Sequence, residues 1–194
     1  MQRLRVLASK IIEIYQESHD SFQAYQQKTG LTCIQGCGEC CLSREVSASI
    51  LEMIPTALDL YDQKLAEKVL NTLEQLDKTN HCIFYIKLSD DGIKGKCSNY
   101  KYRPCICRSF GAAAVKDKTG KKILSVCKEI KKQKLIDISQ INLDSAPTIG
   151  EFSSRILFME CSEKTKVKPI NQALKEALMY VLTAFSYTDT ELTI

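Results

Sequence analysis

"CIQGCGECC", residues 33–41, places four cysteines within nine residues, the last two adjacent. Thiolate sulfur binds soft and borderline metals. On a tight loop, several thiols converge on one ion because most of the closure entropy is already met. Gly36 and Gly38 flank Cys37. Their freedom of φ lets the backbone wrap closely and aim amide groups at a bound cluster. Unligated core cysteines explain one or two such residues, but not this density. A disulfide between Cys40 and Cys41 is disfavoured, because neighbouring side chains rarely meet disulfide geometry. In extended chain those two side chains point to opposite faces. The pair is therefore expected to serve two different metals, or to bridge through one thiolate.

Six further cysteines lie downstream: Cys82, Cys97, Cys105, Cys107, Cys127 and Cys161. Hairpin-borne thiols can complete four-coordinate sites begun on the loop. A four-thiolate zinc carries net negative charge. Backbone amides, with Arg44, Arg103 and Arg108 close to cysteines in sequence, are candidates to compensate it; surface or structural ion pairing is the alternative for each arginine. His81 adjoins Cys82 as a ligand candidate, although a surface turn suits it better. His19 is expected on the solvent face of the first helix.

The composition is that of a globular chain, 44% hydrophobic and 26% charged over 194 residues. Arg3, Arg5, Lys10 and Glu13 interrupt any apolar leader in the first twenty residues, and no apolar run reaches membrane-spanning length. The expectation is a cytoplasmic protein, where thiols stay reduced and clustered cysteines signal metal or redox chemistry. Net charge is +4, too mild to argue for nucleic acid. Lysines crowd one stretch, from Lys116 through Lys128 to Lys134. A solvated face accounts for them more simply than an acidic partner. No protein partner is specified, no membrane contact is expected, and metal ions are the expected ligands.

Outward from the loop, the chain reads as helix on both sides. Leu4, Leu7, Ile11, Ile14, Phe22 and Tyr25 form one stripe over residues 1–28, with Gly30 as the stop. Arg44 to Ser47 reads as a short extended piece. Ser49 and Glu52 have capping-box spacing. Pro55 is expected to break or restart the helix, after which Leu58, Tyr61, Leu65, Val69, Leu73 and Leu76 make a second stripe. From Asn80 the pattern changes. Residues 82–88 and 93–98 read as a hairpin turning at Asp90–Gly92, and residues 112–127 as a second, turning near Thr119-Gly120. The segment between them is expected to be irregular, since Pro104 disfavours helix. Thr148 and Glu151 suggest another capping box ahead of a face of Phe152, Ile156 and Met159. Pro169 starts a final helix. The expected fold is α+β: one mostly helical domain over 1–194, with a small cysteine-rich β-hairpin region binding metal at about 30–130.

"CGECC" at 37–41, then Cys82, Cys97, "RPCICRSF" at 103–110 and Cys127 resemble the YkgJ-type cysteine-cluster family, also described as a zinc- or iron-chelating CxxCxxCC domain. Its hallmarks are a paired-cysteine loop and a downstream RPxxCRxF segment. The resemblance implies metal ligands at Cys33, Cys37, Cys40, Cys41, Cys82, Cys97, Cys107 and Cys127. Cys105 fills a variable position and Cys161 lies beyond the matched region. Three residues separate Cys33 from Cys37, where the family name has two.

Three functions follow as alternatives. The first is a metal-binding protein that chelates zinc or iron. The second is an iron–sulfur-dependent enzyme with radical or protein-modifying chemistry, since Cys33, Cys37 and Cys40 have x3 and x2 spacing. Against it, the surroundings do not alternate strand and helix. The third is a thiol redox protein using Cys105 and Cys107, whose pKa values nearby arginines would lower.

Overall fold

A computed structural model describes residues 2–76, 81–90, 94–133, 140–160 and 162–189. Helix α1 (Gln2–Thr29) buries the anticipated stripe except Leu7, which is half-buried, together with Ala8, Tyr15 and Ser18. Gly30, at φ +72°, ends it in the left-handed region that glycine enters without strain. A single turn, α2 (Glu39–Leu42), carries the paired cysteines, and β1 (Ser47–Ser49) follows. Then come α3 (Ile50–Asp62) and α4 (Ala66–Gln75). Two antiparallel hairpins, β2 (Tyr85–Lys87) with β3 (Gly95–Cys97) and β4 (Ala112–Lys116) with β5 (Lys122–Val126), flank α5 (Cys105–Ser109). Short helices α6 (Lys128–Lys132) and α7 (Glu151–Leu157) lead to β6 (Val167–Pro169) and the long α8 (Ile170–Asp189).

The expected α+β, mostly helical architecture is observed. Helix α3 packs most extensively on α8, and α4 packs on the same helix. The pairing of β1 with β6, Ala48 opposite Lys168, fixes how α8 enters that contact. The main core joins α1, α3, α7 and α8 through Ile11, Ile54, Ile156, Leu174 and Leu178, all fully buried. A smaller core lies under the second hairpin, around Tyr25, Leu31, Ala112 and Ile130.

Four local expectations need correction. Pro55 lies inside α3 without ending it. Nearly every residue of that helix is buried, and this packing outweighs one lost amide hydrogen bond. The break comes later, at Lys64, whose φ is +59°. Leu65 N–H donates to Leu60 O (2.8 Å) and Lys64 N–H to Tyr61 O (2.9 Å), the paired bonds of a Schellman stop. Pro104 starts a helix instead of preventing one. It precedes the first turn of α5, where its missing N–H costs nothing. At α7 only half of the anticipated box is present: Thr148 N–H donates to Glu151 (3.4 Å), while the cap itself is Gly150 at φ +90°. The expected strand before α3 falls at Ser47–Ser49, slightly later than the extended piece read over 44–47.

The Ser49–Glu52 capping box is present in full, and it does more than cap. Glu52 is buried, with 3% of its surface exposed. One carboxylate oxygen accepts from Ser49 N–H and Oγ (both 3.1 Å). The other accepts from Cys105 N–H (3.2 Å) and Ser153 Oγ (3.0 Å). Its main-chain carbonyl accepts from the Tyr15 hydroxyl. A buried carboxylate is tolerable only when its lone pairs are satisfied. Here that requirement ties α3 to α1, α5 and α7. Glu52→Ala orphans several buried donors, so urea unfolding should lose about 3 kcal/mol or more. Glu52→Gln, which keeps one acceptor oxygen, should cost less. A loss under about 1 kcal/mol for the alanine variant would show that the network is dispensable.

Candidate metal centre

The cysteine loop is held from three directions. Cys37 N–H bonds Ile34 O (3.1 Å), and Cys41 N–H bonds Gly38 O (2.9 Å). The loop then leans on the first hairpin: Gly95 N–H reaches Gly36 O (2.8 Å), and Cys37 bridges Lys94. The loop also meets the entry to that hairpin, where Cys82 N–H donates to Cys41 O (3.1 Å). Across the hairpin, Tyr85 pairs with Cys97, and its ring lies against both Gly38 and Gly95. A Cβ on Gly95 would come within 2.0 Å of that ring and one on Gly38 within 2.5 Å. These two glycines are therefore spacers that let loop and hairpin close.

This closure gathers seven thiols, those of Cys33, Cys37, Cys40, Cys41, Cys82, Cys97 and Cys107, onto the wall of one cavity of about 500 Å³. Cys107 arrives on α5, whose first N–H is anchored by Glu52. Cys127 caps α6 behind Cys33, bonded through its N–H to Gly111 O (2.8 Å). It is not among the residues that line the cavity, but it is near enough to raise the Cys33 thiol. Cys105 points elsewhere, into a smaller cavity beside Glu52 and Ser153. Cys161 lies outside the described residues, as do the residues around the expected turn, 91–93.

Cys40 and Cys41 do not behave as an extended pair. They occupy a helical turn and line the same cavity. Separate centres on opposite faces are not what this backbone provides. Among the described residues no three His, Cys, Asp or Glu side chains are already drawn together as a coordination shell; the thiols surround a space.

The electrostatics follow from that crowding. Burial, reinforced by Cys97 and Cys40, pushes the Cys82 thiol up to about 11. Burial with Cys37, Cys40 and Cys127 does the same for Cys33, at the exposed mouth, again to about 11. The neighbouring Cys41 thiol, then burial, raises Cys40. Burial raises Cys97, and raises Cys107 strongly, with Cys82, Cys40 and Cys97 adding to the latter. Arg103 opposes the rise at Cys33, Cys40, Cys97 and Cys107. The lowered pKa values expected for Cys105 and Cys107 are not found. Burial raises both, Glu52 raises Cys105 further, and the two thiols face different cavities.

One residue expected elsewhere stands at this site. His19, assigned by its helical position to solvent, lines the cavity. Burial, then Arg103 and Arg108, lower its pKa, so its imidazole is neutral near pH 7. Tyr100 also lines the cavity, under the Arg103 guanidinium at 3.9 Å from the ring centre. Gln23, Gln26 and Gln27 of α1 complete the wall facing the sulfurs. Nothing in the local sequence marks these α1 residues, because only the packing of α1 against α5 brings them here. His81 is exposed, stacked edge-on to Tyr85 and absent from the lining.

Chemically, the donor set fits a soft or borderline cation. The described lining carries thiols and one imidazole, and no carboxylate. The Cys82 pKa in the folded chain lies above its unfolded value of 9.0. That contribution to stability is complete below about pH 9 and is lost as pH rises through about 11. Chelator-treated, reduced protein should therefore unfold at progressively lower urea between pH 9 and 11. A midpoint unchanged across that window would show the thiols are not desolvated.

A family model, CxxCxxCC, described as a putative zinc- or iron-chelating domain, matches residues 32–128. No curated protein and no solved structure matches the chain. No helix among the described residues is long and apolar enough to cross a membrane.

Proposed function

This chain belongs to the CxxCxxCC family of zinc- or iron-chelating domains, and from that premise we propose that it is a metal-binding protein whose cavity thiols hold zinc or iron. The observation that carries this reading is the convergence of seven cysteines, from segments between residues 33 and 107, on one cavity. Cys33, Cys37, Cys40, Cys41, Cys82, Cys97 and Cys107 are the proposed ligands, with Cys127 joining from the Cys33 side. Cys105 is not a ligand, because it opens into the other cavity. The bound ion replaces thiol protons and relieves the mutual repulsion of buried thiolates, so its binding free energy becomes folding free energy.

An iron–sulfur centre is the second reading, favoured by the cavity volume of about 500 Å³. A lone cation needs far less room. Cys33, Cys37 and Cys40 are its candidate ligands. A radical or protein-modifying activity would use the remaining space against α1. The paired strands of this chain are two-stranded and antiparallel, which does not favour a radical-enzyme barrel.

Metal analysis on anaerobically purified protein, with a visible spectrum, separates the two. Zinc or iron at one or more per chain without acid-labile sulfide supports simple chelation; broad visible absorption together with acid-labile sulfide supports the cluster. Metal-free, well-folded protein recovered under reducing conditions would reject both. Cys40→Ser and Cys107→Ser should lower metal content, whereas Cys105→Ser should leave it unchanged.

Metal removal should also be uneven in its effect. The hairpins are too short to stand alone, while α8 is packed on α3 and α4. Amide exchange after chelation should rise more in the described residues between 81 and 130 than in α8. Equal loss would show that the metal supports the whole fold instead of the hairpins, and no loss would place it outside the fold's energetics.

A further inference from the structure

The thiol wall needs positive charge, and three arginines lie near it in sequence. We infer that Arg103 is the built-in counter-charge of this cysteine site, a positioning residue that stabilises the thiolates and thereby sets how tightly the metal is held. The inference rests on the metal-binding reading above and names the residue on which that site depends.

Arg108 lines the same cavity, but its guanidinium is tied to backbone carbonyls. Arg108 donates through Nε to Arg103 O (3.0 Å) and through a terminal nitrogen to Lys101 O (2.7 Å), and its guanidinium lies 4.9 Å from the Tyr15 ring centre. Those bonds make it a brace for the 101–108 segment. Arg44 is absent from the cavity lining. Lys96 does line it, but is solvent-exposed, where water and salt screen its charge.

Arg103 differs in three ways. Its Nε is buried and has no hydrogen-bond partner. An orphaned buried donor on a cation is costly, which argues that it gains a thiolate acceptor when metal displaces the thiol protons. Its plane is fixed by Tyr100, 3.9 Å below, so it is oriented before any ion binds. It also lines the cavity together with Cys33, Cys40, Cys97 and Cys107, residues of the loop, the paired turn, the hairpin and α5. One guanidinium thus shares a wall with thiols on four segments. The backbone behind it is held as well. Thr56 Oγ donates to Tyr102 O (3.2 Å) and accepts from Asn99 (2.8 Å), tying residues 99–102 to α3.

The test compares wild type with Arg103→Met, Arg103→Lys and Tyr100→Leu. Zinc affinity is measured by competition with a chromogenic chelator, and sulfur-to-metal charge-transfer absorption is read on cobalt-substituted protein. A second readout needs no metal: the iodoacetamide alkylation rate of each cysteine at pH 8, with Cys105 as internal control. Arg103→Met should weaken zinc binding by about tenfold or more, the equivalent of about one pKa unit. It should also slow alkylation at Cys33, Cys40, Cys97 and Cys107, and leave Cys105 unchanged. Arg103→Lys, which keeps the charge, should recover most of the affinity. Tyr100→Leu, a change at an exposed ring, should shift both readouts the same way by less. Unchanged affinity and alkylation in Arg103→Met overturn the inference, as does a lysine variant no better than methionine. If Arg103→Met fails to fold, the lysine and Tyr100 variants decide by the same criteria. Wild-type protein that takes up no zinc or iron rejects the metal-binding reading, and the alkylation rates then decide the role of Arg103 by themselves.

Discussion

The fold turns on one buried carboxylate. Glu52 leaves water to cap α3, and four donors from three segments replace the solvent it loses. A group of this kind is poorly tolerated half-satisfied. Wherever the donors must stand, α5 and α7 must stand too. The consequence reaches the cavity through α5: Cys105 N–H binds Glu52, and Cys107, two residues on, turns toward the thiols. The two cysteines of α5 therefore part company for a mechanical reason, one facing the anchor and the other the site.

The thiol site is governed by the opposite problem, charges that cannot all exist together. Desolvation and neighbouring thiols push the Cys33 and Cys82 thiols up to about 11. A cation resolves this, since each metal–thiolate bond replaces a proton and removes a repulsion. Zinc or iron satisfies the chemistry of the donor set. Arg103 lies where residual negative charge would otherwise be unbalanced, and Tyr85 with Gly38 and Gly95 keeps loop and hairpin in contact. Metal, cation and hairpin packing act together, because the small strands have little stability of their own.

Local reading succeeded wherever a short-range rule had no competitor. The α1 stripe, the full capping box at Ser49, both hairpins and the start of α8 at Ile170 all depend on residues within a few positions of each other. It failed where burial overruled propensity. Pro55 stays inside a helix because nearly every neighbour on that helix is packed. Lys64 takes a backbone conformation usual for glycine because α3 must end there and α4 must turn back onto α8. Pro104 was misread because a proline that precedes a helix and one that breaks it look alike in sequence.

The sequence by itself determined that this chain carries a thiol site, since four cysteines in nine residues and the later RPCICR segment have few other uses. It also determined a mostly helical body with two hairpins, because those patterns are local. Only the tertiary structure decided which thiols share a space, that Cys40 and Cys41 face the same cavity, that Cys105 does not, and that His19 and Arg103 do. The physical reason is the same each time. A side chain's direction depends on the helix or turn it occupies and on what that element packs against, and neither is written within reach of the residue itself.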